Sequence, residues 1–193
     1  MLDGCRLPFK PGSLRAIVMT DVLHHIPDVR RFLAEAGDVV REDGAIVMVE
    51  PWVSPWSRFV YANLHHEPFR PDAETWEFPA GGPLSSANGA LPWIVFERDR
   101  RTFEHEFRQW RIESIRPGMP LRYLLSGGVS LRSLMPCWTF SAWRGVERAL
   151  QPWMDSLAMF ATIVLRRTGQ PSRPPRTVQG LTTGSTPGGD GAS

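Results

Sequence analysis

Residues 7–51 decide the fold, and they read LPFKPGSLRAIVMTDVLHHIPDVRRFLAEAGDVVREDGAIVMVEP. This stretch contains two nearly unbroken apolar runs, over residues 14–19 and 45–49. Such runs are typical of strands that are buried on both faces of a sheet. Between the runs, apolar residues recur at helical spacing (Val29, Phe32, Leu33, Ala36, Val39 and Val40). The pattern therefore predicts a βαβ unit with two parallel strands and a right-handed crossover.

Two polar turns complete this unit. Asp28 precedes the helical pattern, where an N-cap is expected, and Gly44 closes the loop before the second strand. Ligands of parallel sheets bind beyond the carboxyl ends of the strands. Residues 20–27 and 50–55 follow the two predicted strands, so the sequence places any functional site there.

The order of short motifs in this stretch resembles the second half of a class I methyltransferase, an enzyme that uses S-adenosylmethionine (SAM). The motifs are Asp3-Gly4, Leu7-Pro8-Phe9, the strand, DVLHHIPD at 21–28, the helix, Gly44, and the strand that ends in Glu50-Pro51. The resemblance is to the branch that methylates small molecules, and it is specific over about the first fifty residues. Where the family has RVLKPGG, residues 38–44 read DVVREDG, a departure that concerns packing more than chemistry.

The resemblance implies an α/β fold. We expect a partial Rossmann-like class I methyltransferase sheet, a helical lid insertion and a C-terminal antiparallel hairpin. The domain is expected over residues 1–168, with the lid at about 51–106. Residues 169–193 are rich in Gly, Pro, Ser and Thr, and they predict a disordered tail.

The glycine-rich turn that opens such a fold is missing from the sequence. Only two residues precede Asp3, and no Gly-x-Gly occurs near a predicted strand–helix junction. We therefore expect the chain to be the C-terminal portion of a methyltransferase, through a truncated gene model or gene decay. A chain that never had the other half is a less favoured alternative.

Composition narrows the classes of function. The 193 residues carry a net charge of +2 with scattered arginines, which argues against a nucleic-acid-binding stripe. Two lone cysteines suggest neither a disulfide framework nor a metal site, and they favour a reducing cytoplasm. The longest apolar run has nine residues, far short of the roughly 20 that a membrane helix needs.

The resemblance also implies a set of cofactor-binding residues. An acidic residue at Asp3 would accept a hydrogen bond from the adenine amino group, and Gly4 would allow its close approach. Thr20, Asp21 and Leu23 would lie beside the methionine part of SAM. The alternatives are a solvated aspartate near a chain end for Asp3, and a simple turn with a capping role for Asp21.

Four residues are candidates for the catalytic pocket. His24 or His25 could act as a general base, since the pKa of histidine lies near working pH, or could hold the loop by hydrogen bonds. Pro55, with Ser54 as cap, predicts a lid helix that runs to about residue 66. Tyr61 and His65 lie on one face of that helix and could line the pocket.

Glu50, His66, Arg122 and Tyr123 are candidates for contact with substrate, although a surface salt bridge is the plainer role for Arg122. The run His65-His66-Glu67 invites a metal interpretation together with His24-His25. Neighbours on a helix diverge by about 100°, however, and neither HExxH nor a Cys pair is present. The sequence therefore predicts no metal site.

The leading hypothesis is a SAM-dependent methyltransferase of a small molecule. Tryptophan at 52, 56, 76 and 93 favours an apolar or aromatic methyl acceptor. The main alternative is a non-catalytic methyltransferase remnant or partner subunit, because the strand at 14–20 would become an apolar sheet edge. That alternative predicts weak or no SAM binding and a tendency to self-associate. A metal-dependent hydrolase built on the histidine pairs is a third hypothesis.

Overall fold

The computed structural model describes residues 6–65, 67–78, 87–127 and 136–169. Its strands are β1 (Leu14–Thr20), β2 (Val40–Pro51), β3 (Trp110–Gly118) and β4 (Phe160–Arg167). Its α-helices are α1 (Val29–Val39), α2 (Pro55–Leu64), α3 (Leu91–Trp93), α4 (Arg100–Glu106), α5 (Arg122–Leu125), α6 (Phe140–Ala149) and α7 (Met154–Leu157). A 3-10 turn over Leu23–His25 follows β1, and a π-helical stretch over Ile94–Arg98 joins α3 to α4. Within the described ranges, no helix combines the length and apolar character that a bilayer span requires.

The four strands form one sheet in the order β1-β2-β4-β3. β1 and β2 are parallel, with Ile17 beside Ile46 and Thr20 beside Val49. β4 pairs antiparallel with both β2 and β3. The predicted βαβ unit and the predicted antiparallel pair at the far edge are both confirmed, and the fold is α/β and Rossmann-like.

Helix α1 packs its apolar face on the sheet. Asp28 caps it, since its carboxylate accepts a hydrogen bond of 2.8 Å from the backbone N–H of Arg31, as predicted. Phe32 and Leu33 are buried in the main core with Ile46 of β2. The cap and the apolar stripe together fix where the crossover begins and which face it buries.

The prediction that β1 is buried on both faces is wrong. Only Met19 of β1 is buried, and Val18 is 75% exposed. In the described part of the chain, β1 is an edge strand with β2 as its single neighbour. One face of β1 therefore lies open, because nothing described covers it.

Strand β2 begins earlier than expected. It runs from Val40 rather than from about residue 45, and its pairing with β1 shifts register between Leu14 and Ala16. Gly44 lies in this irregular part, where an added Cβ would lie 2.8 Å from the carbonyl oxygens of Arg15 and Arg41. Glycine is needed here for the close approach of two backbones.

Helices α2, α3 and α4 lie within residues 51–106, where the sequence predicts a lid. Ser54 and Ser57 form a reciprocal capping box at the start of α2, which ends at Leu64 rather than at residue 66. A second helical stretch, α3–α4, follows from Leu91 to Glu106. It buries Phe96 and Phe103 in an edge-to-face pair with centroids 5.1 Å apart.

Helices α6 and α7 are separated at Pro152 by a 3-10 turn over Gln151–Trp153. A proline inside a helical pattern is expected to interrupt it in this way. The apolar residues of this segment do not all pack in the described structure, because Val146 and Trp153 are exposed. The buried residue of α6 is instead Glu147, which bonds α5 through the backbone N–H of Arg122 at 3.0 Å. The predicted tail, beyond Gly169, lies outside the described residues.

Replacing Gly44 by alanine tests the β1–β2 register. We expect G44A to lower the free energy of unfolding by about 1–3 kcal/mol, since the new methyl group meets two carbonyl oxygens. G118A is the matched control, because its Cβ would meet no atom within 4 Å and should change stability by less than about 0.5 kcal/mol. Urea unfolding followed by tryptophan fluorescence measures both, and equal midpoints would contradict the assigned register.

Candidate functional site

The carboxyl ends of β1 and β2 lie side by side, so the turn after β1 meets the last residues of β2. The backbone N–H of Asp21 donates a hydrogen bond of 2.8 Å to the carbonyl oxygen of Val49. Asp21 has φ +60°, a left-handed conformation that aspartate tolerates better than most residues. This turn directs the chain back over the end of β2.

Glu50 anchors that turn. One carboxylate oxygen, Oε1, accepts hydrogen bonds from the backbone N–H groups of Val22 at 3.0 Å and Leu23 at 2.9 Å. The other, Oε2, lies 2.9 Å from Nδ1 of His24. Glu50 and His24 are both fully buried. A buried carboxylate needs such partners, and here all of them come from one short turn.

These contacts fix the tautomer of His24. An ionised carboxylate only accepts hydrogen bonds, so Nδ1 of His24 carries the proton that is donated to Glu50. In the neutral ring, Nε2 carries the lone pair, and it has no hydrogen-bond partner within the described ranges. It lies 3.8 Å from Oδ1 of Asp21 and 3.7 Å from Oε2 of Glu67. The unpaired nitrogen therefore faces two carboxylates.

His25 completes this group, which we refer to as the imidazole–carboxylate cluster (Asp21, His24, His25, Glu50 and Glu67). Its ring centroid is 4.0 Å from that of His24, and its Nε2 lies 4.0 Å from Oε1 of Glu67. Burial lowers the pKa of His25, and the neighbouring His24 lowers it further. Burial likewise raises the pKa of Asp21, against the opposing effect of His24.

A second group adjoins α2 and contains Tyr61, His65, Phe69 and Tyr123. Tyr61 stacks on Phe69 with centroids 4.3 Å apart, and its ring lies 4.8 Å from that of His65. Nδ1 of His65 accepts from the backbone N–H of Glu67 at 3.1 Å, so Nε2 donates to the Tyr123 hydroxyl at 3.1 Å. We call this group the aromatic wall.

Burial raises the pKa of both tyrosines in the aromatic wall. The pKa of Tyr123 is raised to about 12, and the carboxylates of Asp21 and Glu67 contribute to that shift. The direction for Tyr61 is the same, with Tyr123 as the next largest cause after burial. Both phenols therefore remain protonated at neutral pH and act as hydrogen-bonding groups rather than as bases.

A cleft of about 540 Å³ lies apart from both groups. Its lining contains Trp52 and Trp93 with charged groups from α4, β3 and α7, among them Arg100, Glu113 and Asp155. None of the candidate site residues lines it. The chemistry-bearing residues are thus at the strand ends, and this cleft lies elsewhere.

A family model described as a methyltransferase domain matches residues 1–48. This range contains β1, α1 and the turn that Glu50 anchors. Residues 1–48 are therefore similar to part of a methyltransferase domain. No curated protein sequence matches the chain.

Solved structures of methyltransferases resemble the chain at low identity. A SAM-dependent methyltransferase from Methanosarcina mazei is 15% identical to this chain. The match covers 86% of this chain and 65% of that one, with a TM-score of 0.44. Geranyl diphosphate C-methyltransferase from Streptomyces coelicolor is 13% identical, with coverages of 86% and 51% and a TM-score of 0.44. The chain therefore spans between about half and two thirds of the length of these proteins. At such scores, the likeness carries no argument about activity.

The structure gathers most of the predicted site residues that it describes into these two groups. His24 and His25 lie at the strand ends with Asp21, and Thr20 is exposed beside them. Tyr61, His65 and Tyr123 share the aromatic wall. Asp3, Gly4 and His66 lie outside the described residues, so their predicted roles stay predictions.

Two of the predicted residues, Leu23 and Glu50, are fully buried, and Arg122 forms the salt bridge that was its plainer predicted role. Leu23 is fully buried in the core, so its side chain does not face a cofactor. Glu50 is also fully buried and holds the turn, which is a positioning role rather than contact with substrate. Arg122 is ion-paired with the buried carboxylate of Glu147 and packs over Phe140.

The sequence pointed to Glu67 only as part of a rejected metal motif, and it did not single out Phe69. Both lie in an irregular segment, where no periodicity indicates which side chains point inward. The argument that adjacent histidines diverge also fails here, because the ring centroids of His24 and His25 lie 4.0 Å apart and Glu67 approaches from another segment. The prediction of no metal site therefore loses its geometric basis.

Alkaline titration tests the aromatic wall, because Tyr61 and Tyr123 are the two tyrosines of the chain. At pH 11 an ordinary phenol, with a pKa near 10, is about 90% ionised. With the pKa of Tyr123 at about 12 and that of Tyr61 also raised, the folded chain should show well under one tyrosinate at 295 nm. The urea-unfolded chain should show nearly two. A folded chain, checked by circular dichroism, with a midpoint near pH 10 would contradict the burial of these phenols.

Proposed function

We propose that this protein is a SAM-dependent methyltransferase that acts on a small apolar or aromatic molecule. The observation that carries the proposal is the Glu50-anchored turn after β1, within the segment that matches the methyltransferase domain model. That turn sets polar groups at the carboxyl ends of two parallel strands, where ligands of such sheets bind. The activity of the whole protein is part of the proposal.

The residues around this turn fit a SAM molecule. Thr20 is exposed, and the Asp21 side chain is half exposed on a backbone fixed by its hydrogen bond to Val49. The Asp21 carboxylate is suited to the ammonium group of the methionine moiety. When bound, SAM supplies an electrophilic methyl group on a sulfonium. Methyl transfer needs alignment and exclusion of water more than strong acid–base groups.

The aromatic wall is suited to the methyl acceptor. Tyr61 and Phe69 present stacked rings, and Tyr123 has its hydroxyl hydrogen left for an acceptor atom after receiving the His65 bond. Such a mixture of apolar surface with a few fixed polar groups is typical of pockets for small organic molecules. An acceptor with one hydroxyl on an apolar or aromatic body matches it best.

The imidazole–carboxylate cluster is the place where an acceptor hydroxyl can lose its proton. With SAM bound, its methyl group would pass to the acceptor oxygen and S-adenosylhomocysteine would leave. The hydroxyl proton would go to the cluster, in which the Asp21 and Glu67 carboxylates are partly exposed. Glu50 orients His24 by accepting the hydrogen bond from Nδ1.

Methyl transfer from tritiated SAM to simple naphthols and prenylated quinols tests this function. We expect label in the organic extract, and we expect S-adenosylhomocysteine to bind in calorimetry. Y123F should raise KM for the acceptor about 5- to 10-fold through the loss of one hydrogen bond. E113Q, on the surface of β3, should leave the kinetics unchanged. A folded chain that neither transfers label nor binds S-adenosylhomocysteine would contradict this function.

A second candidate function is that of a non-catalytic partner subunit. The observation that favours it is the open edge strand, on which Ala16, Val18 and Thr20 are exposed. Exposed apolar edge strands are templates for pairing with another chain. In this alternative the chain binds a protein through β1 and does not turn over substrate.

Self-association through β1 has a direct test. Wild-type chain should form dimers or larger species at micromolar concentration, and V18K should shift it towards monomer because lysine blocks edge pairing. F59K, which places the same charge at an exposed apolar position of α2, should leave the distribution unchanged. Sedimentation velocity measures both. A monomeric wild type, or equal effects of the two variants, would rule out β1 as the interface.

A further inference from the structure

We propose that the imidazole–carboxylate cluster binds one divalent first-row transition-metal ion, of the Zn²⁺ type, through His24, His25 and Glu67. The starting observation is Nε2 of His24. This atom belongs to a fully buried side chain and has no hydrogen-bond partner in the described structure. A buried polar atom without a partner calls for a ligand.

The surroundings of this nitrogen select a cation. With its proton on Nδ1, His24 presents a lone pair at Nε2, and the nearest charged groups are the carboxylates of Glu67 and Asp21 at 3.7 and 3.8 Å. A lone pair and two carboxylates do not attract one another. A positive ion between them satisfies all three groups, whereas an anion or an apolar group satisfies none.

The spacing suits a single ion. Two ligands held about 2.1 Å from one metal lie at most about 4.2 Å apart. The His24–Glu67 and His25–Glu67 ligand atoms are separated by 3.7 and 4.0 Å, and all three ligand atoms lie within 4.8 Å of one another. Only a small side-chain adjustment is needed to bring these three ligand atoms to one ion.

The donor atoms indicate the kind of metal. Two imidazole nitrogens with carboxylate oxygen suit Zn²⁺, Fe²⁺, Co²⁺ or Mn²⁺, whereas Mg²⁺ and Ca²⁺ prefer oxygen ligands throughout. Glu50 supplies the outer contact that metal-bound histidines almost always have, a carboxylate on the other ring nitrogen. The Glu50 bond thus orients His24 towards the ion as well as fixing its tautomer.

The use of such an ion rests on the proposed function, because an acceptor hydroxyl that coordinates it would lose its proton more readily. Binding itself does not depend on that use. Zn²⁺ binding without methyl transfer would support the site and remove only its assigned role. Methyl transfer by a chain that binds no metal would overturn the site and leave the methyltransferase proposal intact.

Calorimetry with Zn²⁺ and absorption spectroscopy with Co²⁺ test the site on the 193-residue chain after treatment with a chelator. We expect one equivalent of Zn²⁺ with micromolar or tighter affinity, and visible d–d bands for Co²⁺. H25Q and E67Q, at positions about one third exposed, should each weaken binding at least 10-fold. H105Q and E77Q, which change the same residue types outside the cluster, should not alter it.

Two outcomes would overturn the proposal: no stoichiometric binding, or binding that H25Q and E67Q leave unchanged. Should either variant fail to fold, the wild type gives a separate answer. In long-range ¹H–¹⁵N spectra, Zn²⁺ must shift the ring nitrogens of His24 and His25. A shift confined to the other three histidines would place the ion elsewhere and refute the site.

Discussion

A single buried carboxylate, that of Glu50, constrains the functional end of this protein. Its two oxygens receive two backbone N–H groups and one imidazole N–H from the turn after β1. Hydrogen bonds to a charged group are each worth about 1.5–3 kcal/mol, so the turn has little freedom. The cluster geometry, the tautomer of His24 and the direction of Nε2 all follow from this contact.

The fold places Glu50 where it can act in this way. β1 and β2 are parallel neighbours, and the register sets Thr20 beside Val49, so the turn leaving β1 passes over the next residue of β2. Helix α2 begins shortly after, and the hydroxyl of its N-cap Ser54 donates a hydrogen bond to the carbonyl oxygen of Ala158, just before β4. The start of α2 is thereby joined to the same end of the sheet that holds the cluster.

The βαβ unit could be predicted from the sequence because the periodicity, the Asp28 cap and Gly44 all indicate the same positions for the helix and the two strands. The i, i+4 spacing likewise predicted that Tyr61 and His65 meet. The exposure of β1 was not predictable from an apolar run, since burial depends on what packs against a strand and not on its composition. The position of Glu67 could not be predicted either, because it lies in an irregular segment, where no periodicity indicates which side chains point inward.

The histidine tautomer offers the most direct measurement of the central claim. Long-range ¹H–¹⁵N spectra of the protein at neutral pH should show His24 protonated at Nδ1, with that proton exchanging slowly. The E50Q variant should abolish this state. The Arg166 partner Glu113 provides a matched surface variant, E113Q, that should leave the His24 signals in place. If His24 of the wild type is protonated at Nε2 instead, or if its signals are unchanged in E50Q, the role of Glu50 as the anchor of the site is contradicted.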